Sequence, residues 1–317
     1  MPLRYDPEFA QAAGPRLEQY AAKPKAAVHD VESRRALFTK TLSKDANYPI
    51  PEGLQRLVHY ASTTDGHKVA IYHFRDRKHI SGLNPAVLHI HGGGYFSFSA
   101  LHSTEALVDY VSKSGVQMLS VEYRLSPEHR FPIPLEDCWA ALTWVHSQAE
   151  SLHIDPRRIG VMGESAGGGL AANLAMLARD RNLSPPLAKQ LLIYPMLDDR
   201  TSTDATEGHA FWTPEDNMTG WGAYLGEDIV GTDAVPHYAV AARNTNADGL
   251  PELYIDCGQL DILLPETLKY VGTFLDAGIP TELHIYDGLP HGFTSLAPFA
   301  SCSRRAIAYR AHAMTTL

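Results

Sequence analysis

Cysteine is scarce in this chain: Cys138, Cys257 and Cys302 are the only three in 317 residues. The number is odd, the spacing wide, and no pair sits at a metal-ligand interval. That excludes a disulfide-stapled scaffold and a cysteine-rich zinc domain. Reduced thiols in a cytoplasmic protein are the simplest account. Excess positive charge is also missing. Lys and Arg total 27 against 36 Asp and Glu, for a net charge of −9. This argues against nucleic acid or an anionic membrane surface as the main partner. No apolar run approaches the roughly 18 residues of a membrane span. The opening residues, MPLRYDPEFAQAAGPRLEQY, lack the apolar stretch of a secretory signal, so none is expected. Internal repeats and low-complexity tails, which would favour a scaffold or interaction protein, are absent.

What is present is an ordinary globular composition, 44% hydrophobic and 20% charged. Residues 1–50 mix helical patches with prolines and contain no strand-like run, so they read as an N-terminal helical arm ending at Tyr48-Pro49-Ile50-Pro51. Two alternating runs, Leu54–Ser62 and Lys68–Phe74, meet at Thr64-Asp65-Gly66, a hairpin signal. From residue 85 buried strands alternate with amphipathic helices. The strands are expected at Ala86–Ile90, Val116–Val121, Ile159–Met162, Gln190–Tyr194, Leu253–Cys257 and Thr281–Tyr286. Such alternation predicts a mostly parallel sheet of about eight strands with helices on both faces and an antiparallel strand near one edge. The rhythm breaks over residues 198–248, a polar, Gly-rich insertion. It carries Phe211, Trp212 and Trp221 and a good helix start at Thr213-Pro214-Glu215-Asp216. A long insertion with its own helix and aromatics reads as a lid or cap.

In a parallel sheet, functional groups gather beyond the carboxyl ends of the strands. Four such ends carry chemistry here. They are His91-Gly92-Gly93-Gly94, Gly163-Glu164-Ser165-Ala166-Gly167, Gly258-Gln259-Leu260-Asp261, and Asp287-Gly288-Leu289-Pro290-His291-Gly292-Phe293. The second has the form of a nucleophile elbow, a Gly-x-Ser-x-Gly turn between strand and helix that exposes the serine hydroxyl. Serine, aspartate and histidine thus follow one another in the chain order of a hydrolase triad. A serine hydroxyl needs a base to accept its proton, and histidine titrates near neutrality. A buried carboxylate fixes the imidazole tautomer and stabilises the imidazolium. Three consecutive glycines allow backbone N–H groups to approach a developing oxyanion, and the Ala166 N–H opens the helix after the serine.

Together, His91-Gly92-Gly93-Gly94, Tyr123-Arg124-Leu125-Ser126-Pro127-Glu128-His129, Gly163-Glu164-Ser165-Ala166-Gly167-Gly168 and His291-Gly292-Phe293 resemble the hormone-sensitive-lipase family of esterases (bacterial family IV). That family lies within the α/β-hydrolase superfamily. The resemblance runs from about residue 54 to the C-terminus. It implies an α/β-hydrolase fold, residues 51–317 as the catalytic domain, and a cap built from residues 1–50 and 198–248. It further implies Ser165 as nucleophile, Asp261 as acid and His291 as base, with Gly93, Gly94 and Ala166 donating to the oxyanion. The implied activity is cofactor-free hydrolysis of short- to medium-chain acyl esters, and the strand Thr281–Tyr286 becomes a candidate homodimer edge. Two departures stand out. Glu164 replaces the family's usual Asp, and Ile262-Leu263-Leu264-Pro265 follows Asp261 where Pro-Leu-Arg-Asp is common. Asp256 is the competing acid, disfavoured because it falls inside a strand.

Other readings are weaker. His89-x-His91 follows a strand, as in some metal hydrolases, but no second ligand cluster has helpful spacing. Gly167-x-Gly169-x-x-Ala172 nominally matches a dinucleotide fingerprint but lacks its acidic partner. Amide, lactone or carbamate hydrolysis would use the same triad, and a non-catalytic small-molecule-binding member of the fold remains the rival from another class. His91 is expected to tie down the glycine loop, and Tyr123–Pro134 with Glu136 and Asp137 to brace the loops below the site.

Overall fold

The computed structural model describes residues 3–23, 26–42, 48–80, 82–203, 206 and 208–317. Parts of the expected N-terminal arm (1–2, 24–25, 43–47) and of the insertion (204–205, 207) lie outside the described residues.

Eight strands form one sheet: β1 Leu54–Ser62, β2 Lys68–Asp76, β3 Asn84–Ile90, β4 Gln117–Val121, β5 Ile154–Glu164, β6 Lys189–Ile193, β7 Glu252–Leu260 and β8 Thr281–Pro290. Their order is β1-β2-β4-β3-β5-β6-β7-β8. Strand β2 runs antiparallel to both β1 and β4, and every later pairing is parallel. The Asp-Gly hairpin therefore supplies the one reversed strand, and Gly66 takes the left-handed conformation at its turn.

Helices cover both faces. Leu88 and Ile90 pack with Leu142 of α4 (Ile133–Ser147), Leu170 and Leu174 of α5 (Ala166–Asp180) and Phe274 of α7 (Leu264–Asp276). Val87, Met162 and Leu191 point the other way, into a second core. It holds Leu107 and Tyr110 of α3 (Thr104–Ser114) and Ala306 and Met314 of α9 (Ser301–Thr315). Strict alternation along buried strands accounts for the split: neighbouring side chains emerge on opposite faces.

Helices α1 (Pro7–Ala21), α2 (Val31–Leu42) and α6 (Pro214–Leu225) stand outside this sandwich. Helix α1 starts as its sequence directs, with Asp6 capping the Phe9 N–H at 2.9 Å and Pro7 at the first position. At α6, Thr213 and Asp216 form a reciprocal capping box. Arg34 of α2 forms a buried ion pair with Asp216, and the His29 N–H donates to Thr219 Oγ1 at 3.0 Å. The N-terminal helices and the 198–248 segment therefore pack on one another. A four-residue helix, α8 (Phe293–Leu296), precedes α9.

The strand ends differ from the sequence expectation in an informative way. Pairing of β7 with β8 continues beyond the apolar runs, through a register irregularity, to Leu260↔Pro290. A Cβ on Gly258 would lie 2.1 Å from the Leu289 carbonyl oxygen, so glycine is required for this close approach. The consequence is positional. Asp261 and His291 are the residues that directly follow two adjacent strands.

Candidate active site

Strand β5 passes into α5 through Ser165, whose backbone has φ 55° and ψ −122°. A positive φ costs a non-glycine residue on the order of 1–3 kcal/mol and persists only where the surroundings enforce it. They do so from both sides. The Ser165 N–H donates to the Ile193 carbonyl at 2.9 Å, and the Ser165 carbonyl accepts from the Met196 N–H at 2.9 Å. Glycine is required on both sides of the serine: a Cβ on Gly163 would lie 2.1 Å from the Gly167 carbonyl oxygen, and one on Gly167 would lie 2.1 Å from that of Ile90.

The three residues singled out from sequence come together. His291 Nε2 lies 2.9 Å from Ser165 Oγ, and His291 Nδ1 lies 2.6 Å from Asp261 Oδ2. Asp261 Oδ1 accepts the Leu263 N–H at 3.0 Å, which fixes the carboxylate plane. A carboxylate on Nδ1 holds the proton there and leaves Nε2 free to accept one from the serine. All three side chains are almost fully buried. The edge of the Tyr194 ring packs against His291 with centroids 4.7 Å apart.

Beside the serine runs the glycine loop after β3. Gly93 and Gly94 both have positive φ, at 116° and 61°. Among the described residues no acceptor is found for the N–H of Gly93, Gly94 or Ala166. Three donors without protein partners next to a serine hydroxyl are what an oxyanion requires. His91 holds the loop as expected: its Nδ1–H donates to the Gly92 carbonyl at 2.8 Å, and its ring stacks on Tyr123 at 4.2 Å. Complete burial pushes its pKa down to about 3, so the imidazole is neutral. The bracing expected of the following segment is also present. Arg124 binds Asp137 through two nitrogens, and Arg35 of α2 spans Glu128 and the Phe96 carbonyl. Arg35 thus ties the outer helices to the glycine loop.

A cavity of about 840 Å³ opens above Ser165, His291 and Gly92–Gly94, a size suited to a small organic ligand. Phe38 comes from α2, Phe98 from the glycine loop, Tyr194 from the end of β6, and Phe211 and Trp212 from the insertion. Glu164 also faces it, with its carboxylate 2.8 Å from His89 Nε2; His89 Nδ1 in turn meets Ser120 Oγ at 2.9 Å. Burial raises the Glu164 pKa, but the charge and hydrogen bond of His89, with Arg310 behind, outweigh it and hold the carboxyl below its ordinary value. Among the described residues no three His, Cys, Asp or Glu side chains converge as metal ligands. Both ring nitrogens of His89 are hydrogen-bonded, and His91 is bonded through Nδ1 to the Gly92 carbonyl.

Sequence reasoning missed one participant, Arg310, and the particular contacts of two residues it named, Trp212 and Glu164. Asp256, the rival acid, is occupied elsewhere: Arg310 of α9 donates to it from Nε at 2.6 Å and Nη2 at 2.9 Å, fully buried. The same guanidinium lies over the rings of Tyr194 and Phe293, at 5.5 and 5.6 Å. Trp212 packs on Gly94 and approaches His291, with centroids 5.9 Å apart. Glu164 reaches His89 across 75 positions. An Arg among the small and apolar residues of the C-terminal helix, beside Ala306, Ala313 and Met314, was the one available signal for Arg310. Trp212 and Glu164 stood out in the sequence, but nothing there pointed to these contacts.

Known proteins fit this geometry. A family model described as alpha/beta hydrolase fold matches residues 87–295. The chain is similar to the carboxylesterase NlhH of Mycobacterium tuberculosis, at 36% identity over 67% of each chain. It is also similar to an ethyl acetate hydrolase of Pseudomonas putida, at 30% identity over 73% of each. Among solved structures, a bacterial heroin esterase superposes with a TM-score of 0.89 at 34% identity, covering 98% of this chain and 97% of that one. With its ordered motifs, its sheet and these relatives, the chain belongs to the α/β-hydrolase fold family, in the hormone-sensitive-lipase-like group of carboxylic ester hydrolases.

Proposed function

We propose that this carboxylic ester hydrolase works as a serine esterase on short- to medium-chain acyl esters, through an acyl-enzyme carried on Ser165. The observation that supports it most directly is the unbroken contact from Ser165 Oγ through His291 to Asp261, at 2.9 and 2.6 Å, on the floor of the cavity.

Ser165 Oγ attacks the ester carbonyl as its proton passes to His291 Nε2. Asp261 holds the opposite proton on Nδ1 and offsets the imidazolium charge. The N–H groups of Gly93, Gly94 and Ala166 take the negative oxygen; loss of one such donor in other hydrolases costs about 3–4 kcal/mol of transition-state stabilisation. Collapse of the intermediate expels the alcohol, which leaves with the proton from His291. Water then attacks the acyl-enzyme, giving a proton to His291 and, on collapse, releasing the acid as that proton returns to Ser165 Oγ. The helices over the cavity act as a cap that limits substrate length, and their aromatic lining favours apolar groups.

A series of nitrophenyl esters from acetate to palmitate, run beside an anilide and a lactone, tests the reading. Turnover is expected to peak at short to medium chains and to vanish in Ser165→Ala. Undiminished hydrolysis by Ser165→Ala, or faster turnover of the anilide or lactone than of any ester, would overturn it.

A further inference from the structure

Trp212 sits at an unusual junction. Its indole lies so close to Gly94 that a Cβ there would meet the ring carbon Cη2 at 2.6 Å, and it faces the His291 ring across the cavity. Phe38 of α2 supports it from behind, with centroids 5.9 Å apart. Trp212 immediately precedes Thr213, the N-cap of α6, where a hydrophobic contact to the fifth position along normally fixes the entry of the chain. Here that position is Asn217, and the contact is polar: Trp212 Nε1–H donates to Asn217 Oδ1 at 3.1 Å.

The chain of contacts does not stop there. Asn217 Nδ2–H donates to the Thr201 carbonyl at 2.7 Å, and the Thr201 hydroxyl is hydrogen-bonded to the Glu266 carboxyl. Glu266 also accepts the Leu197 N–H at 2.6 Å. Asn217 and Glu266 are both buried, so each lost partner would leave a polar group stranded away from water. Glu266 stands in the first turn of α7, five positions after Asp261. The same turn of helix therefore fixes the acid of the triad and, through three hydrogen bonds, the indole opposite it.

We propose that Trp212 is the residue that sets how bulky an alcohol moiety the site accepts, and that Asn217, Thr201 and Glu266 are its positioning residues. The side follows from the chemistry. His291 must deliver its proton to the departing alkoxide oxygen, so the alcohol occupies the space bordered by His291, and the indole walls that space. The proposal rests on the esterase reading above and narrows its substrate class to esters of slender alcohols. A wall held by hydrogen bonds at fixed depth discriminates by size; a loosely packed ring would swing aside.

Two substrate series separate the possibilities. One varies the alcohol at constant acetyl (ethyl, phenyl and 1-naphthyl acetate); the other varies the acyl chain at constant nitrophenol. Nitrophenyl acetate turnover by the wild type, and its loss in Ser165→Ala, is checked first. If that check fails, the esterase reading falls, and the ratios are then read in whichever ester is turned over. Trp212→Ala is expected to raise kcat/KM for naphthyl relative to ethyl acetate about tenfold or more, the scale of one or two methylenes in an apolar pocket, and to leave the acyl ratio within about twofold. Asn217→Leu is expected to shift the alcohol ratio the same way, about threefold, but to do nothing further in a Trp212→Phe background, where the indole N–H is gone. If the Ala variant does not fold, Trp212→Phe carries the first comparison. Unchanged alcohol ratios, or a shift confined to the acyl series, would overturn the role of Trp212. An equal effect of Asn217→Leu with and without the indole N–H would overturn the relay.

Discussion

Two buried aspartates five positions apart, Asp256 and Asp261, have opposite expected responses to the same substitution. Asp256 is shared between Arg310, at 2.6 and 2.9 Å, and the Tyr254 hydroxyl, at 3.2 Å. Asn in its place keeps the shape but removes the charge, leaving a guanidinium that is 1% exposed without a counter-ion. Breaking one side of such a pair costs about 3–5 kcal/mol. For a domain of this size that lowers Tm by roughly 5–7 °C. Turnover measured well below the transition should fall less than about tenfold, because Arg310 bonds none of Ser165, Asp261 and His291 and meets the triad through the rings of Tyr194 and Phe293. Asp261→Asn removes the charge opposite His291 and favours the wrong tautomer, for a loss of about ten-thousandfold in kcat with Tm changed by a few degrees. Differential scanning calorimetry and nitrophenyl acetate kinetics on both variants make the comparison. If folded Asp256→Asn lost a thousandfold or more in kcat, or Asp261→Asn stayed near wild type, the assignment of the two carboxylates would be wrong.

Acid should destabilise the fold through its buried imidazoles. Burial pushes both His73, which is bonded to Gln117 at 2.7 Å, and His91 down to about 3. Between pH 6.5 and about 3 the unfolded chain binds two protons that the folded chain refuses. These two groups therefore remove stability as pH falls below 6.5, approaching about 2.7 kcal/mol per unit once the unfolded imidazoles are fully protonated. Urea titrations from pH 7 to 5 should show the mean slope in His73→Gln reduced by about 1 kcal/mol per unit; an unchanged slope would refute a buried neutral His73. Glycines divide sharply by position. Gly167→Ala should prevent soluble expression, because the new Cβ meets the carbonyl oxygens of Ile90 and His91 at 2.1 and 2.4 Å. Gly272→Ala, inside α7 with nothing within 4 Å, should stabilise by about 1 kcal/mol in the same assay.

The parts of this molecule that could be read from its sequence are those where chemistry and backbone geometry are local. Gly163–Gly167 declares itself because the turn admits only glycine at both ends, and Thr213-Pro214-Glu215-Asp216 because a capping box is written in four residues. Strand ends were less legible. The β7–β8 ladder runs past its apolar runs through Gly258 and Gly288, residues that signal a turn until the facing strand is known. Strand β5 similarly begins at Ile154, ahead of its apolar run, because Asn84 of β3 pairs there across an irregular register. Contacts between distant segments carried no sequence signal. Arg310 finds Asp256 54 positions away, and Glu164 finds His89 75 away. The aromatics of the insertion looked alike in sequence. Packing sends Trp221 into the core with Tyr95 and Tyr224 and leaves Trp212 over Gly94.

The account depends above all on Ser165 being the atom that takes the acyl group. Reaction with an alkyl fluorophosphonate, followed by peptide-resolved mass spectrometry, addresses this directly. The prediction is one phosphonyl group per chain, on Ser165, appearing in step with loss of esterase activity and absent from Ser165→Ala. Labelling of another residue in step with inactivation, or full activity in a chain labelled at Ser165, would contradict it.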